Sequence, residues 1–158
     1  MSSPQSTPID WQLKRFSELS AQTMHDMLRL RQDVFVVEQN CPYPDIDGTD
    51  HEWLHLLGYQ QGELVAYARL RLSEAEQAEA PQARIGRVLV AEKARGQALG
   101  RALMVEAMAH IHSMHPKRPI ILGAQCYLLA FYRSLGFQSV GEEYLEDGIP
   151  HQDMEWRA

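Results

Sequence analysis

The stretch Ile85-Gly86-Arg87-Val88-Leu89-Val90-Ala91-Glu92-Lys93-Ala94-Arg95-Gly96-Gln97-Ala98-Leu99-Gly100-Arg101 decides the fold. Its first half, Ile85 to Val90, is a short apolar run of the kind that makes a buried strand. Its second half, R-G-Q-A-L-G from Arg95 to Gly100, opens a helix. From Arg95 to Ser113, Leu99, Leu103, Ala107 and Ile111 fall on one face. Free backbone N–H groups converge where such a helix starts, and its dipole adds partial positive charge. Together they make an anion site. Small residues at Gly96, Ala98 and Gly100 let the backbone approach phosphate oxygens, and Arg95 and Arg101 add full charges. The same residues also read as an ordinary strand–loop–helix connection with a glycine turn. The spacing is neither G-x-x-x-x-G-K-[ST] nor G-x-G-x-x-G, so neither the P-loop nor the dinucleotide fingerprint fits.

Toward the C-terminus, Pro116 and Pro119 break this helix. Ile120–Ala124 is a second buried strand. Tyr127–Leu135 is a short helix stopped by Gly136. Phe137–Val140 and His151–Trp156 are the last strands, joined across Glu146-Asp147-Gly148-Ile149-Pro150. Toward the N-terminus, Ile9, Trp11 and Leu13 alternate with polar residues as a strand does. Ser20 caps a helix carrying Met24, Met27, Leu28, Val34 and Phe35, an ordinary core stripe. Cys41–Asp50 is a loop rich in Pro, Asp and Gly. Strands Trp53–Tyr59 and Glu63–Leu72 flank a turn at Gln60-Gln61-Gly62, and Ser73–Ala83 is a polar solvent loop. The order β-α-β-β-β-α-β-α-β-β predicts an α+β sandwich with a mixed sheet. Residues 1–8 are expected to form a flexible tail and 9–158 one domain.

Composition narrows the function. The 158 residues are 45% hydrophobic and 23% charged, which excludes a largely disordered chain. The formal charge of −6 argues against a general nucleic-acid binder. The polar start M-S-S-P-Q-S-T-P lacks the apolar segment of a signal peptide, and no stretch approaches the ~20 apolar residues of a membrane span. Cys41 and Cys126 sit in no C-x-x-C pair and read as reduced thiols. The expectation is a cytoplasmic protein without nucleic-acid, membrane or metal partners.

R-V-L-V ahead of R-G-Q-A-L-G, then L-L-A-F-Y-R-S-L-G-F from Leu128 to Phe137, resembles the GNAT superfamily of N-acetyltransferases. Its acyl-CoA signature is [RQ]-x-x-G-x-[GA] after a central strand, with a later helix carrying a tyrosine ahead of G-F; here these are Tyr132 and Gly136-Phe137. R-Q-D-V-F-V-V-E-Q-N-C-P-Y-P-D-I-D-G-T-D (Arg31 to Asp50), I-G-R-V-L-V and D-G-I-P-H are similar to the ElaA-like branch. The resemblance runs from the first strand to the last. It implies a three-layer sandwich, splayed at the cofactor strand by a bulge, with helices on both faces. One position departs from the signature: Ala98 stands where a glycine is usual. Alanine resists positive φ, so the loop is expected to stay right-handed there.

The resemblance implies acetyl-CoA-dependent transfer to a primary amine of a small molecule or peptide. Residues Arg95, Gly96, Gln97, Ala98, Leu99, Gly100 and Arg101 would hold the pyrophosphate. Val88, Leu89 and Val90 would pair with the pantetheine arm, as an added strand does. Gln125 stands where many relatives carry a cofactor-contacting asparagine. The Leu89 backbone N–H would stabilise the oxyanion, and Tyr132 would serve as general acid toward the leaving thiolate. The reaction also needs a base, because an alkylammonium with a pKa near ~10.4 has no lone pair. The strand positions where relatives place a glutamate hold Gly86 and Arg87, which leaves Glu38, Glu52, His51 and His151, or a water chain.

Other constellations carry less. Asp45, Asp47, Asp50 and Glu52 make either an acidic rim that attracts cationic amines or a solvated loop. Gly48 comes too early for a calcium loop. His110, His112 and His115 read as a frayed, exposed helix end, and Cys126 as an inert buried thiol. Acceptor choice is expected in the Cys41–Glu52 loop and the Glu142–His151 hairpin. The rival class is a non-catalytic acyl-CoA-binding or sensor module of the same fold, favoured by the missing strand glutamate. Oligomeric state is open, with a homodimer through the C-terminal strands as one option.

Overall fold

The computed structural model describes residues 7–72 and 82–158. Most of the expected flexible tail, and the 73–81 part of the expected solvent loop, lie outside these residues. Strand β1 (Asp10–Arg15) leads through a turn to α1 (Ala21–Arg31), whose N-cap Ser20 accepts from Thr23 N–H at 3.1 Å as its side-chain chemistry demands. A π-helical turn, Gln32–Glu38, continues α1. Then come β2 (Leu54–Gln60), β3 (Glu63–Leu72) and β4 (Ala83–Val90). After them follow α2 (Leu99–Met114), β5 (Ile120–Gln125), α3 (Leu129–Arg133), β6 (Gln138–Glu146) and β7 (Ile149–Trp156).

The strands form one mixed sheet in the order β1-β2-β3-β4-β5-β7-β6. All neighbours are antiparallel except β4 and β5. On one face, Leu103, Met104, Ala107 and Ile111 of α2 are fully buried against Leu56, Ala68, Leu70 and Ile120. Each such large apolar side chain contributes ~1.5–3 kcal/mol by leaving water. The other face carries α1, where Met27 packs with Leu57, Tyr67 and Leu89. Helices on both faces make the three-layer sandwich.

The sheet splits at its centre. β4 and β5 pair only at Ala83↔Ile120 and Arg84↔Ile121. Beyond that point β4 bulges: its register with β3 jumps from Arg69↔Gly86 to Tyr67↔Leu89, so Arg87 and Val88 stand opposite Ala68 alone. Arg87 takes the bulge's left-handed position at φ 51. The bulge turns β4 away from β5 and opens a cleft between them.

Five sequence expectations need correction. The strand expected to end at Val140 runs on to Glu146 and its partner starts at Ile149, so the connection shrinks to Asp147-Gly148. Ala83 is not loop but the buried first residue of β4. α2 begins at Leu99 rather than Arg95, because Gly96 (φ 85) and Ala98 (φ 57) are left-handed and cannot lie inside a right-handed helix. The short helix is a 3-10 turn, Cys126–Leu128, followed by one α-turn. The α2 end is not freely exposed at His112, whose ring lies 4.4 Å from that of Trp156.

Candidate active site

The cleft between β4 and β5 widens into a cavity of about 890 Å³, walled by the π-turn, the 41–47 loop, the start of α2, α3 and the β6–β7 hairpin. Part of its lining is bare backbone because Gly86 and Gly123 carry no side chains. A Cβ on Gly123 would come within 2.8 Å of the Tyr144 hydroxyl.

One end of the cavity is the start of α2. The first intrahelical bond runs from Ala102 N–H to Ala98 O, so the N–H groups of Leu99, Gly100 and Arg101 have no helical partner. Ala98, the N-cap, supplies no side-chain bond. The place where a Cβ on Gly96 would sit is open space. These unsatisfied amides fit a phosphate group. The loop differs from expectation in two ways. Ala98 is left-handed, not right-handed, because the chain must reverse into α2 within two residues of Gly96. The arginines are also committed: Arg95 Nη2 donates to Glu38 Oε2 at 2.8 Å, and Arg101 Nη1 bonds Ser134 Oγ at 3.3 Å. Gln97 turns away to accept from Gln60 at 2.9 Å. What this loop could offer an anion is therefore mainly backbone amide and helix dipole. Replacing Ala98 by Gly should relieve the left-handed strain and raise the melting temperature by about 2 °C in a thermal melt, since about 1 kcal/mol moves a chain of this length by roughly that much.

The open edge of β4 forms the second wall. Ala91 N–H donates to Val65 O at 2.7 Å, and Leu89 pairs with Tyr67 two residues along. Antiparallel alternation turns the Leu89 N–H toward β3. The groups facing the cleft belong to Val88 and Val90, and the Val90 carbonyl there accepts from Arg95 Nε at 3.2 Å. The Leu89 N–H named as a donor from the sequence thus points into the sheet, and the Val88 N–H is the one that faces the cleft.

Tyr132 is 5% exposed, lines the cavity and lies edge-on to Phe131 and Phe137. Burial, reinforced by Tyr127, pushes its phenol up to about 12. Gln125 also lines the cavity, with Nε2 3.5 Å from Gln39 Oε1. Of the base candidates, Glu52 pairs with Arg71 at 3.4 Å and His51 packs against Phe16; neither borders the cavity. Glu38 does border it but is held by Arg95. His151 is buried on the cavity wall. Its Nδ1 donates to Ile149 O at 2.7 Å, which leaves Nε2, 3.4 Å from Glu146 Oε2, with a lone pair in the neutral ring. Cys126 is only partly buried, and burial and then Glu143 push its thiol up.

The acidic loop is neither a free rim nor merely solvated. Arg31, fully buried, donates through Nε to Asp45 and through Nη1 to Asp50, both at 2.8 Å. Arg69 donates to Asp50 at 2.8 Å and to Asp47 at 2.6 Å, and stacks over Trp53 at 4.3 Å. Arg87 Nε lies 2.9 Å from Asp45 Oδ1. Three arginines thus match three aspartates. Burial pushes the Asp50 carboxyl up, but Arg31 and Arg69 outweigh it and hold it below the usual range; the bond from Arg69 does the same for Asp47. Beneath them, His55 Nε2 faces the Asp50 carbonyl at 2.9 Å and Nδ1 faces the Tyr67 hydroxyl at 2.6 Å. A carbonyl only accepts, so Nε2 carries the proton, and burial keeps the ring neutral. Tyr144, which donates to Asp153 at 2.6 Å, is a further wall residue that sequence reasoning missed. Pairing outward from an Asp147-Gly148 turn would have placed it opposite His151. Among the described residues no cluster of His, Cys, Asp and Glu is arranged to hold a metal.

The sequence model for the acetyltransferase (GNAT) domain matches residues 18–158. The chain belongs to the GNAT acetyltransferase family. Among its relatives is the protein ElaA of Escherichia coli (strain K12), 47% identical over 148 residues, a match covering 92% of this chain and 95% of ElaA. The crystal structure of E. coli ElaA superposes on this GNAT domain with a TM-score of 0.85 at 44% identity, covering 95% of this chain and all of that one. An acyl-CoA N-acyltransferase from Pseudomonas aeruginosa gives 0.84 at 40% identity, covering 94% and 99%. The GNAT family uses acyl-CoA as co-substrate, and the unsatisfied amides at the start of α2 suit its phosphates.

Proposed function

We propose that this GNAT domain transfers an acetyl group from acetyl-CoA directly to a primary amine of a small molecule or peptide, both held in the cavity at once. The reading rests chiefly on one observation: a single cleft presents the open β4 edge, the uncapped α2 start and the Tyr132 hydroxyl together. The pantetheine arm would pair with Val88 and Val90, and the pyrophosphate with the amides from Gly96 to Arg101. His151 Nε2 would take the proton from the amine as its nitrogen attacks the thioester carbon. The Val88 N–H would face the resulting oxyanion. The C–S bond then breaks, and the Tyr132 O–H hydrogen-bonds the departing thiolate. A phenol raised this far above an ordinary thiol near ~8.5 stabilises the thiolate by donating that bond rather than by giving up its proton outright.

The test is thiol release from acetyl-CoA with polyamines, amino acids and N-terminal peptides as acceptors. Release with one class, and an at least ~10-fold lower rate in His151→Asn, is expected. Heat of cofactor binding without release over the whole panel would instead favour the acyl-CoA-binding module.

A further inference from the structure

Arg87 is an unexpected residue in its place. The first residue of a bulge with positive φ is the natural site for glycine, and Gly86 is one position away. Arginine at φ 51 is strained there. What it has that glycine lacks is a side chain long enough to reach the acceptor-side loop. Its Nη2 donates to the Asp45 carbonyl at 2.9 Å while its Nε sits 2.9 Å from Asp45 Oδ1. The second carboxylate oxygen of Asp45 accepts from Arg31 Nε at 2.8 Å, and Arg31 Nη2 also reaches the Asp45 carbonyl at 3.1 Å. Asp45 is thus clamped between α1, through a fully buried arginine, and the bulge of β4.

Both ends of this clamp border the cavity. The bulge residue adjoins Val88, whose edge is open to the cleft. Asp45 belongs to the loop whose Tyr43, Pro44 and Asp47 also line the cavity. A displacement of the bulge must therefore move the Arg87 guanidinium, and with it the loop.

We propose that Arg87 is a positioning residue that ties the Cys41–Asp50 loop to the cofactor strand, so that filling the Val88–Val90 edge seats the wall against which the acceptor binds. This rests on the cofactor reading given above. Because coupling is reciprocal, seating the loop also favours the cofactor-ready form of the strand.

The experiment uses CoA itself, so it needs no knowledge of the acceptor. Hydrogen exchange of the 42–50 amides is followed with and without saturating CoA, and binding is measured by calorimetry. In the native chain CoA should slow exchange in this loop about five-fold. In Arg87→Gly, which keeps the left-handed backbone but cuts the tether, CoA should still bind, with a dissociation constant raised by no more than about the five-fold coupling factor, while the slowing falls to less than about two-fold. Arg87→Asn, which also tolerates positive φ but is too short to reach Asp45, should behave like the glycine variant. Arg87→Lys, which restores a charge on Asp45, should recover part of the slowing.

A purely structural arginine would change the loop's exchange equally with and without CoA, and that result would overturn the proposal. So would full CoA-dependent slowing in the glycine and asparagine variants, or CoA binding to the native chain without any slowing. Absence of binding heat in the native chain would remove the cofactor reading and the coupling together.

Discussion

Thiol release by Tyr132→Phe is expected to fall about 100-fold, with CoA affinity within about two-fold of the native value. The ring is buried between Phe131 and Phe137, so Phe keeps the packing and removes only the hydroxyl. The loss sits at the low end for a positioned proton donor because this phenol, pushed up to about 12, supplies a hydrogen bond to the thiolate rather than a full proton transfer. The same physics sets its pH behaviour: burial keeps the O–H protonated well above neutrality, so no alkaline loss of activity below about pH 10 should trace to Tyr132. Steady-state rates and calorimetry on the two proteins check this. Equal turnover would remove Tyr132 from the chemistry and leave it as packing under the cofactor.

Arg31→Met should cost about 3–5 kcal/mol in denaturant unfolding, the usual penalty for removing one partner of a buried ion pair. Arg31 is wholly inaccessible, and its removal strands Asp45 and Asp50 with one arginine each. Methionine fills part of the volume, so the loss is mainly the uncompensated carboxylates. The sign of the pH effect follows from Asp50 and Asp47, both held below the usual carboxylate range. Groups depressed in this way stabilise the fold fully above their unfolded pKa near ~3.9 and lose that contribution as pH falls through the folded value. The native chain should therefore weaken steeply below about pH 4. The variant, with Asp50 less depressed, should show a shallower acid limb. A native-like stability at pH 7 would mean the network is dispensable for the fold.

Much of the architecture was legible because it depends on local pattern. Helix α1 starts at Ser20, whose hydroxyl satisfies a helix N–H whatever the rest of the chain does. Leu103, Ala107 and Ile111 bury one face of α2 because helical periodicity puts them there. The loop before α2 was identified from Arg95 to Gly100, yet its handedness at Ala98 was not. Intrinsic preference disfavours left-handed alanine, and only the geometry of the β4–α2 reversal overrides it. The same limit hid Arg87, since a bulge is a property of two paired strands and register is not written in either alone.

The acidic loop shows the boundary most clearly. Asp45, Asp47 and Asp50 were visible as charges close together in sequence, and their meaning was open between a substrate-attracting rim and solvated surface. The residues that settle it, Arg31, Arg69 and Arg87, come from α1, β3 and β4. They are far apart in the chain and meet only because the sheet stacks those elements. Periodicity, capping and small-residue spacing by themselves determined the order of elements and the place of the glycine turn before α2, since each acts within one turn or one strand. The packed fold decided which charges are spent on one another, which strand edge stays open and which histidine stands on the cavity wall, since each depends on a partner supplied by another element.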